Sequence, residues 1–408
     1  MSPTRHAFRR RIIPILVDLA PFLLVLHAAL SSSAAFSPVV IVAASLALFL
    51  ASLLLNRSPH ACVDALAFPL TGTLRGRWVW ITGATQGLGE SLALRCAELG
   101  ASVVVSGRTA ERCEDVALEC LSRGAPRVRT VPLDLYDGRE KLAEAVREAF
   151  EGVAEEDEEA SVDIFVNCAG GSQASSALAG EDEEVDRMIF QLNALGAISL
   201  TKEVAKAMTK RQIVQGGKRR KFAPRIVGVC SVASKVPAPG QATYAAAKSA
   251  YAAFLNSMRS EIADTGVKVV CVYPGPIATG TDGKERVIFR SRLSASSPGA
   301  QRVGAASPSS NAKRTQSPPS QSSPSTKGRM SVPFVTEEII RSTIAGADEL
   351  ILAPPAIMFL ASVVRFAPTL AYAILDLVGP RRASKADAGE NIYDLSSRRR
   401  VKKSSSTM

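Results

Sequence analysis

The 408-residue sequence predicts an α/β fold: a doubly wound parallel sheet with helices on both faces. Three observations carry that prediction. From Arg77 onward, short apolar runs alternate with stretches of helical periodicity. The first run ends in closely spaced glycines that open a helix, and a later helix carries a tyrosine and a lysine four residues apart. Runs that are apolar at nearly every residue, rather than at alternate ones, mark strands covered on both faces.

In chain order, strands are expected at "WVWIT" (78–82), "SVVVS" (102–106), "VRTVPLDL" (128–135), "VDIFVN" (162–167), "RIVGVCS" (225–231) and "KVVCVYP" (268–274). Helical patterns such as "GESLALRCAEL" and "SAYAAFLNSMRSEIA" lie between them. Two stretches interrupt the alternation. "QGGKRRKFAPR" (215–225) reads as a basic surface loop. Residues 291–331 are rich in Ser, Pro and Gly, with six Lys or Arg and no acid; such a stretch supplies no core and is expected to be disordered. "TEEIIRSTIAGADELILAP" then reads as a helix opened by Thr336 with acids in its first turn, followed by a short strand. Residues 355–379 are apolar but broken by Arg365, Pro368 and Asp376, which favours a helical flap or membrane-dipping surface over a span. The basic tail, 381–408, is expected to be disordered. The expected organisation is a membrane anchor at 1–57, a catalytic domain at 77–290, the insertion at 291–331, a completing segment with an apolar flap at 332–380, and the tail.

The first 57 residues follow different rules. Arg9, Arg10 and Arg11 precede the apolar stretch 12–30, which contains Pro14, Asp18 and Pro21; residues 36–55 are twenty in a row without a charge. A run of that length can cross a hydrocarbon core as a helix. A single anchor, a two-span hairpin and a removable signal peptide ending near "SSSAA" all fit, and flanking arginines favour a cytosolic catalytic part. The net charge of +11 is concentrated at the N-terminus, in the insertion and in the tail, a distribution that suits a membrane surface rather than nucleic acid. Seven cysteines without paired spacing, two of them (Cys230 and Cys271) inside strand runs, read as apolar filler in a reduced, intracellular protein. No Cys/His cluster suggests a metal.

"WVWITGATQGLGE" sets Gly83, Gly87 and Gly89, with Gln86 and Leu88 between them, directly after the first strand. Glycines there permit a tight turn and let a pyrophosphate approach the helix N-terminus, whose free N–H groups favour an anion. The spacing resembles the "TGxxxGxG" turn of the short-chain dehydrogenase/reductase (SDR) family, a Rossmann-like fold that uses NAD or NADP. The second strand ends in "VVVSGRT", with no carboxylate for the adenine ribose and with Arg108 ready for a 2′-phosphate, so NADP(H) is favoured over NAD(H). The resemblance further implies that Asp134 in "PLDLYD" contacts the adenine ring. "VNCAG", with Asn167, Ala169 and Gly170, resembles the family's "NNAG"; Cys168 replaces the second Asn, which removes one side-chain hydrogen bond. "YPGPIATG" (273–280) resembles the segment whose Thr binds the nicotinamide carboxamide, assigning Pro274, Gly275 and Thr279.

Tyr244 and Lys248 in "TYAAAKSAYAAF" share one helix face, a turn apart. A free phenol titrates near a pKa of about 10, and a neighbouring ammonium stabilises the phenolate and lowers that value. Tyr244 can then give or take a proton at a carbonyl or alcohol oxygen. Ser231, thirteen residues earlier, stands where the family's catalytic Ser stands, and its hydroxyl can hold the substrate oxygen. Ser234 is the weaker candidate because its spacing to Tyr244 is wrong. The resemblance implies that Asn193 in "FQLNALG" positions a water leading to Lys248, and that Tyr244 and Lys248 also contact the cofactor ribose.

Residues 347–382 resemble the C-terminal part of a membrane-anchored SDR subgroup, typified by dehydrogenase/reductase family member 7, that sits at the endoplasmic reticulum and reduces lipophilic carbonyls such as steroids and retinoids. The expected activity is therefore an NADP(H)-dependent oxidoreductase acting on a lipophilic carbonyl or alcohol at a membrane. A 3-ketosphinganine or 3-ketoacyl reductase would share every catalytic residue named, and a membrane-tethered nucleotide-binding scaffold or sensor is the alternative of another class. Homo-oligomerisation through the tyrosine-bearing helix is implied by resemblance.

Overall fold

The computed structural model describes residues 73–156, 161–178, 183–212, 222–279, 287–290, 329–388 and 390–393. Both N-terminal hydrophobic segments, most of the basic loop, positions 291–328 of the insertion and the tail beyond 393 lie outside the described residues.

Strand β1 (Trp78–Thr82) is buried at every residue and pairs in parallel on both sides, with β2 (Ser102–Ser106) and β4 (Val162–Asn167). Strand β3 (Val128–Thr130) flanks β2, while β6 (Arg225–Val229), β7 (Lys268–Pro274) and β9 (Glu349–Leu352) follow β4, giving the parallel order β3-β2-β1-β4-β6-β7-β9. A small parallel pair joins β5 (Ser172–Ala174) to β8 (Val287–Arg290). The strand order reverses between β1 and β4, and a crevice at such a switch point, outside the carboxyl ends of the strands, is where an open α/β sheet receives ligands.

Alternation along β1 builds both cores. Val79 and Ile81 face a layer that includes α1 (Gly87–Glu98), α2 (Ala110–Ser122) and α7 (Val332–Ala345). Trp78 and Trp80 face the opposite layer, with α3 (Arg139–Glu156), α5 (Gly196–Gln212) and α6 (Ala242–Glu261). Fully buried Trp80 packs at a tilt against the Phe165 ring, centroids 4.9 Å apart, and donates its indole N–H to Ser106 Oγ at 2.8 Å, so its one polar atom is satisfied. Cys230 and Cys271 are buried in this layer, as their strand positions predicted.

Several boundaries depart from the sequence reading. The third strand stops pairing regularly at Thr130, two residues before Pro132, which has no N–H for a ladder. Helix α7 starts at Val332 with Ser331 as its N-cap and a proline in its first turn, where proline is favoured. Thr336 is consequently buried inside that helix, donating to Ser91 Oγ at 2.8 Å, and does not cap it. At the end of the insertion, Arg329 and Met330 are buried; Met330 pairs with Ile277 and donates its N–H to Pro276 O at 2.8 Å.

The apolar C-terminal stretch forms two helices, α8 (Pro355–Phe366) and α9 (Pro368–Asp387), broken at Ala367 before the second proline. Among the described residues, no helix is long and apolar enough to cross a membrane. Helix α9 also runs past Gly379, so the first residues assigned to the disordered tail are ordered. Tertiary hydrogen bonds hold them: Asp387 Oδ1 accepts from Ser176 N at 2.8 Å, Asn391 Oδ1 accepts from Arg329 at 2.9 Å, and the Tyr393 hydroxyl donates to Gln241 Oε1 at 3.0 Å.

Candidate active site

At the end of β1 the chain turns through Gly83 (φ +66°) and Gly87 (φ +58°), conformations that a side chain strains. Space imposes the same requirement. A β-carbon on Gly83 would lie 2.8 Å from Ala169 Cα, and one on Gly89 would run into the Gly83 carbonyl. Helix α1 begins here with Leu88 buried, and its N-cap Gln86 makes no side-chain capping bond. Thr279, beyond β7, borders the same turn: a β-carbon on Gly87 would touch its Cβ at 3.4 Å. A cradle that any side chain would fill, at the positive end of a helix, fits the pyrophosphate of a nicotinamide nucleotide.

Arg108 is exposed just beyond β2, after Gly107, whose Cα leaves no room for a side chain against Thr85. Across from it, Asp134 Oδ1 accepts from Tyr136 N at 3.1 Å. Burial raises the Tyr136 pKa, the Asp134 carboxylate adds to the rise, and the Arg108 charge opposes it, so these three groups share one electrostatic neighbourhood. This is the position expected to meet the adenosine end.

Asn167 turns its side chain into the protein. Its Oδ1 accepts from Thr82 Oγ1 at 2.9 Å, and its Nδ2 donates to Tyr251 Oη at 3.0 Å and to Thr201 Oγ1 and Ala197 O, each at 3.3 Å. The side chain is engaged inside the protein, which leaves the cleft only the main chain of this segment. Thr82 Oγ1 also accepts from Cys168 N and Ala169 N, at 3.2 and 3.3 Å, fixing that main chain in place. The Cys168 thiol packs against the apolar core, where burial pushes its pKa up to about 12, so it is a protonated filler rather than a nucleophile.

Asn193 lies in a π-helical turn, Gln191–Leu195, between α4 (Glu183–Phe190) and α5. Such turns insert a residue into a helix and concentrate at functional sites. Buried Asn193 donates to Gly171 O and Ile189 O, both at 3.0 Å, and accepts from Gly171 N at 3.1 Å, which ties the π turn to the segment after β4. A β-carbon on Gly170 would stand 2.9 Å from both Asn193 Oδ1 and Lys248 Nζ; the two groups meet over that glycine. Lys248 is 4% exposed and donates to Val229 O at 3.0 Å, and burial lowers its pKa.

Tyr244 stands one turn earlier on α6, half-buried against Ile189, Ala194 and Ala247. Ser231, two residues beyond Val229, caps the 3-10 turn Val232–Ser234 and accepts from Ala233 N at 3.1 Å; that turn packs on α6. Ser234 has a buried Oγ without a protein partner among the described residues. Pro274 closes β7, and Gly275 is needed for the approach of β9, since its β-carbon would lie 3.0 Å from Ala353 Cβ. The structure thus gathers Asn193, Ser231, Tyr244 and Lys248 on elements meeting at the carboxyl edge of the sheet, beside the glycine turn. Thr82, Thr201 and Tyr251 escaped the sequence reading. The available signal was the spacing of Tyr251, seven residues after Tyr244 on the same helical face.

The model of the short chain dehydrogenase family matches residues 77–287. The chain belongs to this family. Among curated relatives it is 35% identical over 205 residues to dehydrogenase/reductase SDR family member 7 of Mus musculus and of Homo sapiens, covering 49% of this chain and 55% of each relative. It is 32% identical over 211 residues to member 7B of Bos taurus, covering 50% of this chain and 59% of that one. The chain therefore spans about half the length of the curated relatives it matches. A short chain dehydrogenase from Burkholderia cenocepacia, solved in complex with NADP, superposes with a TM-score of 0.52 at 22% identity over 74% of this chain and 98% of that one, a likeness of fold.

Burying an ammonium costs stability. Lys248→Met, an apolar replacement of similar length, is expected to hold or raise the melting temperature at neutral pH while removing turnover. Because the folded-state pKa is depressed, the unfolded chain binds the extra proton between the two pKa values, and wild-type stability rises with pH across that window. The advantage of the Met variant should therefore shrink toward alkaline pH, as thermal unfolding of both proteins at neutral and alkaline pH will show.

Proposed function

We propose that the protein is an NADP(H)-dependent oxidoreductase that reduces a carbonyl, or oxidises the matching secondary alcohol, on a lipophilic substrate such as a steroid, retinoid or other lipid at a membrane. The observation that carries the reading is the buried ammonium of Lys248, one helical turn from Tyr244 and facing Gly170 together with Asn193. An ammonium placed there has no packing value and destabilises the core, whereas it stabilises a phenolate.

Tyr244 delivers a proton to the carbonyl oxygen in reduction and removes it in oxidation. Lys248 brings the phenol toward the working pH. The Ser231 hydroxyl holds the reacting oxygen where negative charge develops. Asn193, anchored to Gly171, leads the proton path onward from Lys248. Gly83, Gln86, Gly87, Leu88, Gly89, Asp134, Ala169, Gly170, Pro274, Gly275 and Thr279 would hold a nicotinamide nucleotide, which when bound supplies or accepts the hydride.

Preference for the phosphorylated cofactor is supported by Arg108, exposed after β2 where "SGRT" supplies no carboxylate. The membrane setting is supported by the uncharged run 36–55 and by α8 and α9, which expose Phe359, Leu370, Tyr372 and Leu377 as well as the cations Arg365 and Arg381.

Tyr244→Phe is expected to lower NADPH-dependent turnover of lipophilic ketones by about 10²–10⁴-fold while leaving NADPH binding nearly intact; persistence of turnover would refute the assignment. Arg108→Ala should weaken NADPH by about 10- to 100-fold, the loss of a charge-assisted contact, with NADH little affected. Equal losses for the two nucleotides in a binding titration would overturn the preference. In cell fractions the full chain should stay in the membrane pellet through an alkaline, high-salt wash, and release to the supernatant would overturn an integral anchor at 36–55.

A further inference from the structure

Four side chains beneath the site form one closed hydrogen-bond chain, and none of them touches solvent appreciably: Thr82 and Thr201 are 0% exposed, Asn167 and Tyr251 1%. Donor and acceptor bookkeeping gives the chain a direction. Thr82 uses its hydrogen on Asn167 Oδ1 and accepts from the N–H groups of Cys168 and Ala169. Thr201 uses its single hydrogen on Ala197 O at 2.7 Å. At the 2.9 Å contact between Tyr251 Oη and Thr201 Oγ1, the phenol must therefore donate. It accepts in turn from Asn167 Nδ2 at 3.0 Å. Burial pushes the Tyr251 pKa well above its ordinary value, so the phenol remains a donor across the working pH range.

The four residues come from the four elements that carry the site. β1 leads into Gly83, β4 leads into Ala169 and Gly170, α5 follows the π turn of Asn193, and α6 holds Tyr244 and Lys248. Tyr251 lies three residues after Lys248 on the face that α6 turns toward the sheet. The helix also bonds to the sheet through Lys248, to Val229 O at 3.0 Å, and two turns further on through Asn256, to Tyr273 Oη at 3.3 Å, and Arg259, to Val269 O at 3.1 Å; between them it packs through apolar contact, such as Leu255 against Gly228, which is non-directional. The hydrogen bonds of Tyr251 are the ones that tie the helix to Asn167 and to α5, at the level of the site.

We propose that Tyr251 is a positioning residue for the proposed reaction: its hydroxyl locks the catalytic helix to the Asn167–Gly170 segment and to α5, and so sets the Tyr244–Lys248 pair against Gly170 and Asn193. The inference rests on the catalytic reading above.

The test uses the full, detergent-solubilised chain, with NADPH and a lipophilic ketone for reduction and NADP with the matching alcohol for oxidation. Tyr251→Phe keeps the ring and removes only the hydroxyl. It is expected to lower kcat about tenfold, change KM for NADPH little, and move the pH limb assigned to Tyr244 upward by about half a unit, because the Tyr244–Lys248 pair is then held less firmly against Gly170 and Asn193. Val153→Ala, which thins the same core layer away from the site, should lose stability without moving that limb. Thr201→Val removes the acceptor of the Tyr251 hydroxyl from the other helix. It should shift the limb in the same direction, and it decides the matter if Tyr251→Phe does not fold. Wild-type kcat and pH profile in the folded variants, alongside an inactive Tyr244→Phe, would overturn this inference alone. A wild-type protein without turnover, or an active Tyr244→Phe, would overturn the catalytic reading and this inference with it.

Discussion

The close approach of two strand-end turns is the constraint on which the rest depends. Gly83, after β1, sits against the main chain of Ala169, after β4, with no room for a β-carbon between them. Thr82 and Asn167 hold the two turns at that separation through a buried hydrogen bond, and the N–H groups of Cys168 and Ala169 close on the same threonine oxygen. A side chain at Gly83 would pry the turns apart and displace both the helix N-terminus offered to a phosphate and the main chain offered to the rest of the nucleotide.

On that floor the fold places a charge where hydrophobic burial alone would not. Lys248 is desolvated and donates to Val229 O, a net cost to stability that the surrounding apolar layers offset. Its neighbours are arranged by departures from regular structure. The π turn brings Asn193 over Gly170, and the 3-10 turn capped by Ser231 ends β6 just beyond the carbonyl that Lys248 contacts. Local irregularity and a buried cation coincide at one edge of an otherwise regular sheet, as is common where side chains must converge on a ligand.

The C-terminal region shows tertiary contacts overriding local composition. Arg365, Pro368 and Asp376 read as interruptions, yet Pro368 opens a helix that runs through Asp376 and carries Pro380 inside it. Asp387, Asn391 and Tyr393 then bond to Ser176, Arg329 and Gln241, on segments far apart in sequence. Composition could not reveal those partners, because each lies far along the chain and carries no periodic signal. The same reason explains Thr336: a threonine followed by acids looks like a helix start, but Pro333 had already fixed the first turn and the threonine turned inward to Ser91.

What the sequence by itself determined were features with local causes: the buried strands, the glycine turn, the tyrosine and lysine on one helical face, and the arginine at the end of the second strand. Each follows from backbone geometry repeating over a few residues. Only the tertiary structure decided that Asn167 turns inward, that Lys248 and Asn193 meet over Gly170, and that Tyr251 and Thr201 complete a sealed hydrogen-bond chain. Those facts depend on which distant groups share one desolvated space, where an unmatched polar atom is costly and every donor must find its acceptor.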